Sequence, residues 1–94
     1  VKMFRYEVPV NGQPNVIQLQ SDPKYVAAKR VGLGPSAQHF VEIWAESEVG
    51  VPADRTFQVY GTGHEIPSDA VWRGTTERTT DGLVWHLYEL NVTP

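Results

Sequence analysis

Tyr25-Val26-Ala27-Ala28-Lys29-Arg30-Val31, preceded by Asp22-Pro23 and followed by Gly32, is the stretch on which the fold class turns. Read as a helix, it has Asp22 as a cap, Pro23 in the first turn and Gly32 as a stop. That helix would be only about two turns long. Read as a strand, it places Tyr25, Ala27 and Lys29 on one face and Val26, Ala28 and Arg30 on the other. The shortness of the segment and its period of two favour the strand. The chain is then expected to be all-β: about seven short, mostly antiparallel strands in a small sandwich or partly open barrel.

The composition points the same way. Thirteen valines, three isoleucines and seven threonines stand against five leucines and six alanines. β-branched side chains are stiff at χ1 and pack well on a pleated surface. On the N-terminal side, Met3 to Val10 alternates, with Phe4, Tyr6, Val8 and Val10 on one face. Asn11-Gly12 follows, a strong hairpin signal, and Val16 to Gln20 is expected to return as its partner strand. Beyond Gly32 to Ser36, His39 to Glu46 sets Val41, Ile43 and Ala45 against Phe40, Glu42 and Trp44. A turn is expected over 47–54, and Arg55 to Tyr60 is the fifth strand. Ala70 to Glu77 is a strand interrupted by Gly74, Asp81-Gly82 suits a second hairpin, and Leu83 to Val92 closes the chain. Strands at roughly ten-residue spacing with turn residues between them suggest a sandwich or small barrel.

Length and charge bound the function. The 94 residues make a single domain, residues 1–94. With no cysteine, disulfides and thiol chemistry are excluded. No run of about 18 apolar residues is available for a membrane span, and no secretory leader is recognised at the start. A formal charge of −3 without a Lys/Arg block is a poor match for nucleic acid. Three strands (39–46, 55–60 and 83–92) carry large apolar residues on both faces. A chain this small has one core, so a second buried face implies another copy of itself. A homo-oligomer, most simply a dimer, is therefore expected, although surface aromatics also occur singly.

The densest polar-aromatic stretch is Tyr60-Gly61-Thr62-Gly63-His64-Glu65-Ile66-Pro67. Glycines flanking a threonine let a backbone approach a ligand closely, and successive N–H groups in such a turn can cradle an anion. The same residues also read as a bulged strand exit that needs glycine only for its shape. His39, His64 and His86, spaced 25 and 22 residues apart, match no metal motif, so no metal or cofactor is expected. Glu42, Glu46, Glu48 and Glu65 form no pair fixed by spacing, and no serine sits in a nucleophile elbow, so no enzyme is expected. Arg73 beside Trp72 suits a nucleotide, with a ring for the base and a guanidinium for a phosphate. It equally suits a surface arginine lying over apolar area.

Arg55-Thr56-Phe57-Gln58-Val59-Tyr60-Gly61-Thr62-Gly63-His64-Glu65-Ile66, then Trp72-Arg73-Gly74-Thr75 and Leu83-Val84-Trp85-His86-Leu87-Tyr88-Glu89, resemble the motifs of a family of small uncharacterised phage and prophage all-β proteins. The Phe4 to Val10 and Val16 to Leu19 stretches resemble its first hairpin, so the resemblance covers nearly the whole chain. This chain departs from the pattern by inserting Gly32 to Gln38. The resemblance implies a phage or prophage origin and a host-cytoplasm setting, and it carries no activity with it. Two readings follow. In the first, the protein sequesters a small anionic, nucleotide-like ligand without turnover, in pockets between subunits. Thr62 and His64, with the N–H groups of Gly61 and Gly63, would meet the anionic part. Tyr60, Trp72 or Trp44 would stack on the base, and Arg73 would hold a phosphate. In the second, the protein is a structural or adaptor component of the phage, and its aromatics anchor an interface.

Overall fold

A computed structural model of the protein describes residues 1–47 and 51–92. Seven strands run through it: β1 (Lys2–Pro9), β2 (Asn15–Leu19), β3 (Pro23–Val31), β4 (Gln38–Ser47), β5 (Ala53–Gly61), β6 (Val71–Thr75) and β7 (Trp85–Leu90). They form two separate antiparallel sheets, a three-stranded one in the order β1-β4-β3 and a four-stranded one in the order β2-β5-β7-β6. The architecture is an open sandwich, and the only helical turn among the described residues is a 3-10 turn at Gly34–Ser36. The stretch from Tyr25 to Val31 is strand, paired residue by residue with β4 from Tyr25↔Trp44 to Val31↔Gln38. Gly50, expected in the turn over 47–54, lies outside the described residues, as does Glu48.

The core forms where the inner faces meet. Val8, Val41, Ile43 and Ala45 from the first sheet are buried against Leu19, Phe57, Val59 and Leu87 from the second. Each large apolar side chain removed from water contributes about 1.5–3 kcal/mol, and the alternation of β4 and β5 supplies Val41, Ile43, Phe57 and Val59, half of those in the core. At the edge where β3 meets β6 the two sheets come very close. A Cβ added to Gly74 would stand 2.7 Å from Val26 Cγ2.

One expected pairing is overturned. Asn11-Gly12 does not close a hairpin: β1 pairs with β4 and β2 pairs with β5, so the chain passes from one sheet to the other at this bend. Local side chains close it instead. Asn11 Oδ1 accepts from the Gln13 N–H at 3.1 Å, an Asx turn, and Asn15 Nδ2 donates to the Gln13 carbonyl at 2.8 Å. The second hairpin forms as expected. Gly82 N–H donates to the Thr79 carbonyl and Thr79 N–H to the Leu83 carbonyl, both at 2.9 Å, with Gly82 at φ +81°. This is a three-residue loop in which a turn is followed by a left-handed glycine.

The expected second apolar face is much reduced on the first sheet. Around the Tyr25–Trp44 ring pair, 5.4 Å between centroids, lie the ion pairs Arg5–Glu42, Lys29–Glu7 and Lys24–Glu46. The second sheet keeps more aromatic surface on its outside. β5 and β6 run parallel with β7 between them, so the connection over 62–70 has to cross β7 outside the core. Tyr60 faces outward there, edge-on to Tyr88 at 5.7 Å, yet is only 7% exposed. Its hydroxyl pKa is pushed up by burial.

Candidate functional site

The turn after β5 folds on itself. His64 N–H donates to the Gly61 carbonyl at 3.2 Å, and Gly63 takes φ +90°. A positive φ at the third position of a four-residue turn is the mark of type II, where glycine is favoured because a Cβ would clash. The His64 ring lies over Gly61, whose N–H donates to His64 Nδ1 at 3.3 Å. With Nδ1 accepting, the hydrogen of a neutral ring sits on Nε2. Two of the loop's amides, those of Gly61 and His64, are thus satisfied within the turn, so any anion cradle would rest on Thr62 and Gly63.

A cleft of about 340 Å³ opens beside this turn, lined by Gly61, Thr62 and His64 on one side and by Arg78, Gly82, Leu83, Val84 and Trp85 on the other. That volume is at the low end for small-molecule sites. Arg78 is its cation. It donates to the Gly82 carbonyl at 2.9 Å, and no carboxylate pairs with it among the described residues. Trp85 forms an apolar wall and stacks obliquely on His39, 5.8 Å between centroids. Its indole N–H is buried and finds no acceptor among the described residues. An unpaired buried donor costs about 1–3 kcal/mol.

The second cluster starts at the same threonine. Thr62 Oγ1 and His86 Nε2 are 2.9 Å apart, and His86 Nδ1 and Thr75 Oγ1 are 3.1 Å apart. Trp72 Nε1 donates to Thr75 Oγ1 at 2.9 Å. A bulge in β6 makes this chain possible. Trp72 pairs with Tyr88 and Gly74 with Leu87, leaving Arg73 as the extra residue. Bulges re-aim side chains in this way. Here Trp72 and Thr75 both end up on the outer face, next to His86, while Arg73 turns inward.

Arg73 therefore enters a closed set of charges at the opposite end of the sandwich. Glu89, 5% exposed, accepts from Arg73 Nε at 2.8 Å and from Arg55 Nε and Nη2 at 2.8 and 2.6 Å. Asp22 faces both arginines. Burial works against the Glu89 carboxylate, but the hydrogen bonds and charges of Arg55 and Arg73 hold its pKa below the usual range.

The residues singled out from the sequence are thus divided. Gly61, Thr62 and His64 line one cleft. Trp72 and Arg73 line another, of about 270 Å³, with Lys24 and Tyr25 between β3 and β6. Trp44 reaches that second cleft only through its stack on Tyr25. Tyr60 is buried. Among the described residues, no three His, Cys, Asp or Glu side chains gather as metal ligands, and no helix is long and apolar enough to cross a membrane. Sequence reasoning passed over Arg78, Trp85 and the partners of His86. Arg78 follows β6 in a segment read as the approach to a turn, and only the hairpin brings it opposite Gly61.

The fold and cleft define a small two-sheet β-sandwich with a loop-lined hollow at one end. The chain belongs to the family described as domain of unknown function DUF7352, whose family model matches residues 1–93. No curated protein and no solved structure matches it significantly.

Proposed function

We propose that this is a binding protein for a small anionic, nucleotide-like ligand, held in the cleft between the Gly61–His64 turn and the 78–85 hairpin. The observation that carries this reading is Arg78, a guanidinium without a carboxylate partner among the described residues, on the wall of a cleft that also presents Thr62 and His64. A guanidinium offers planar, bidentate donors to a phosphate. The His64 Nε2–H and the backbone N–H groups of Thr62 and Gly63 add further donors, and Trp85 with Leu83 supplies a flat apolar wall for a ring. Arg78 replaces Arg73 in the phosphate-holding role, because Arg73 is already engaged by Glu89 and Asp22.

The phage origin and the host cytoplasm as the place of action rest on the sequence resemblance; capture of a nucleotide-derived immune signal is a role that tight binding without turnover would serve in that setting. Pairing of two copies around the clefts rests on exposed aromatic surface, chiefly Trp72 and Tyr25, each 57% exposed. The same surface is what an adaptor role would use.

A thermal-shift titration against mono- and dinucleotides, cyclic nucleotides and ADP-ribose-type compounds tests the reading. A ligand at about 100 times its Kd stabilises the fold by about 2.7 kcal/mol, a clear rise in Tm. Arg78→Ala and His64→Ala are expected to abolish the rise. A flat response across the panel would defeat the binding proposal. Light scattering on the same sample is expected to give the dimer mass, and a monomer at all concentrations would remove the shared-pocket part.

A further inference from the structure

We propose that Thr62 Oγ1 is a nucleophile activated by His86, and that it accepts the acyl group of activated carboxylic esters. The geometry is that of a nucleophile, a base and a group that orients the base. Thr62 is exposed on its turn and lines the cleft with Leu83 and Trp85. His86 Nε2 lies 2.9 Å from its hydroxyl, and His86 Nδ1 lies 3.1 Å from Thr75 Oγ1. Thr75 is itself fixed by the Trp72 indole N–H. With one lone pair occupied by that bond, the Thr75 oxygen keeps a second for Nδ1–H. In the tautomer that uses it, Nε2 is able to take a proton from Thr62.

The chemistry balances on these atoms. Thr62 Oγ1 attacks the ester carbonyl as its proton passes to His86 Nε2. The bond from the carbonyl carbon to the leaving oxygen breaks, and the leaving group departs as a phenol carrying the proton from Nε2. The product is an ester on Thr62. Water, deprotonated by Nε2, attacks that ester, and release of the acid restores the hydroxyl. The third group is a neutral hydroxyl where hydrolases use a carboxylate. Replacing that carboxylate by an amide in a serine-histidine-aspartate triad costs roughly 10⁴ in kcat. Acylation here is therefore slow and confined to good leaving groups. The acyl-threonine is an alkyl ester, far less reactive than the aryl ester that forms it, so its hydrolysis through His86 is slower still and it accumulates. The outcome is one-time capture of an acyl group, which goes beyond the binding reading and does not depend on Arg78.

The test is incubation of the full chain with p-nitrophenyl acetate, following nitrophenolate release and mapping acetylation by peptide mass spectrometry. The expected result is stoichiometric acetylation on the peptide carrying Thr62. It is lost in Thr62→Val, kept in Thr62→Ser, and slowed by about 10²-fold or more in His86→Gln, the usual worth of a general base. Thr62 lies on an exposed turn, so the valine and serine variants decide the matter even if His86→Gln folds poorly. Acetylation confined to lysine and terminal amines, or acetylation of Thr62 at the wild-type rate in a folded His86→Gln protein, would overturn the proposal. The probe is uncharged, so its failure speaks against the Thr62–His86 pair, whereas failure of the nucleotide titration speaks against the anion site.

Discussion

Gly74 is small because Val26 occupies the space a side chain would need. Its would-be Cβ meets Val26 Cγ2 at 2.7 Å and Cγ1 at 3.1 Å, and Val26 is itself buried. Gly74→Ala is expected to destabilise the protein by about 1–3 kcal/mol, the usual cost of overpacking. Val26→Ala in the same chain should recover part of that loss, since residues in contact couple; urea titration of both single variants and the double variant measures it. At the other end, Glu89 is, among the described residues, the only carboxylate that contacts both Arg55 and Arg73 from within the sandwich. Glu89→Gln leaves two part-buried guanidinium groups facing a neutral amide. Removing one partner of a buried ion pair costs about 3–5 kcal/mol, and the same titration is expected to show a loss in that range.

The strand elements position chemistry through their irregularities. In a regular β6, Trp72 and Thr75 would lie on opposite faces, because side chains alternate. The bulge at Arg73 puts them on one face and makes the link to His86. The hairpin between β6 and β7 does the same for Arg78, whose guanidinium is tied to the Gly82 carbonyl. Gly82 stands at φ +81°, where an L side chain costs about 1–2 kcal/mol. Gly82→Ala is expected to lower Tm by the equivalent of that cost and to weaken binding of the proposed nucleotide-like ligand at the cleft, whereas Gly82→Asn should retain more of both, because asparagine tolerates this region better. Thermal shift with and without ligand separates the two effects.

At the scale of the whole molecule, the charge set at one end makes stability depend on acid. Asp22 is held below its ordinary value of 3.8, first by the hydrogen bond from Arg55, and Glu89 is held below its ordinary 4.5. In the unfolded chain both carboxyls take up protons at those ordinary values, before the folded chain does. Their contribution is therefore complete above about pH 5 and is lost as the pH falls through the depressed folded values. Tm measured from pH 7 to pH 3 should fall below about pH 5, and the fall should be shallower in Glu89→Gln.

The strands and the turn at Gly61–His64 were legible in the amino-acid order because period-two alternation and turn residues are local signals, whereas the choice between sandwich and partly open barrel was not. Val41, Ile43 and Ala45 shared a face in the alternation, and the fold buries that face. The pairing of strands was not local, and Asn11-Gly12 shows why: the same dipeptide bends a chain whether the next strand turns back in the same sheet or crosses to the other. Nor did the sequence separate Arg73 from Arg78, since both are arginines near β6. Only the bulge turns one toward Glu89, and only the hairpin sets the other across from Thr62. By itself the sequence determined which segments are strands and which side chains share a face, because side-chain alternation dictates both. The tertiary structure decided which charges are neutralised and which hydroxyl meets His86, because those depend on contacts between residues far apart in the chain.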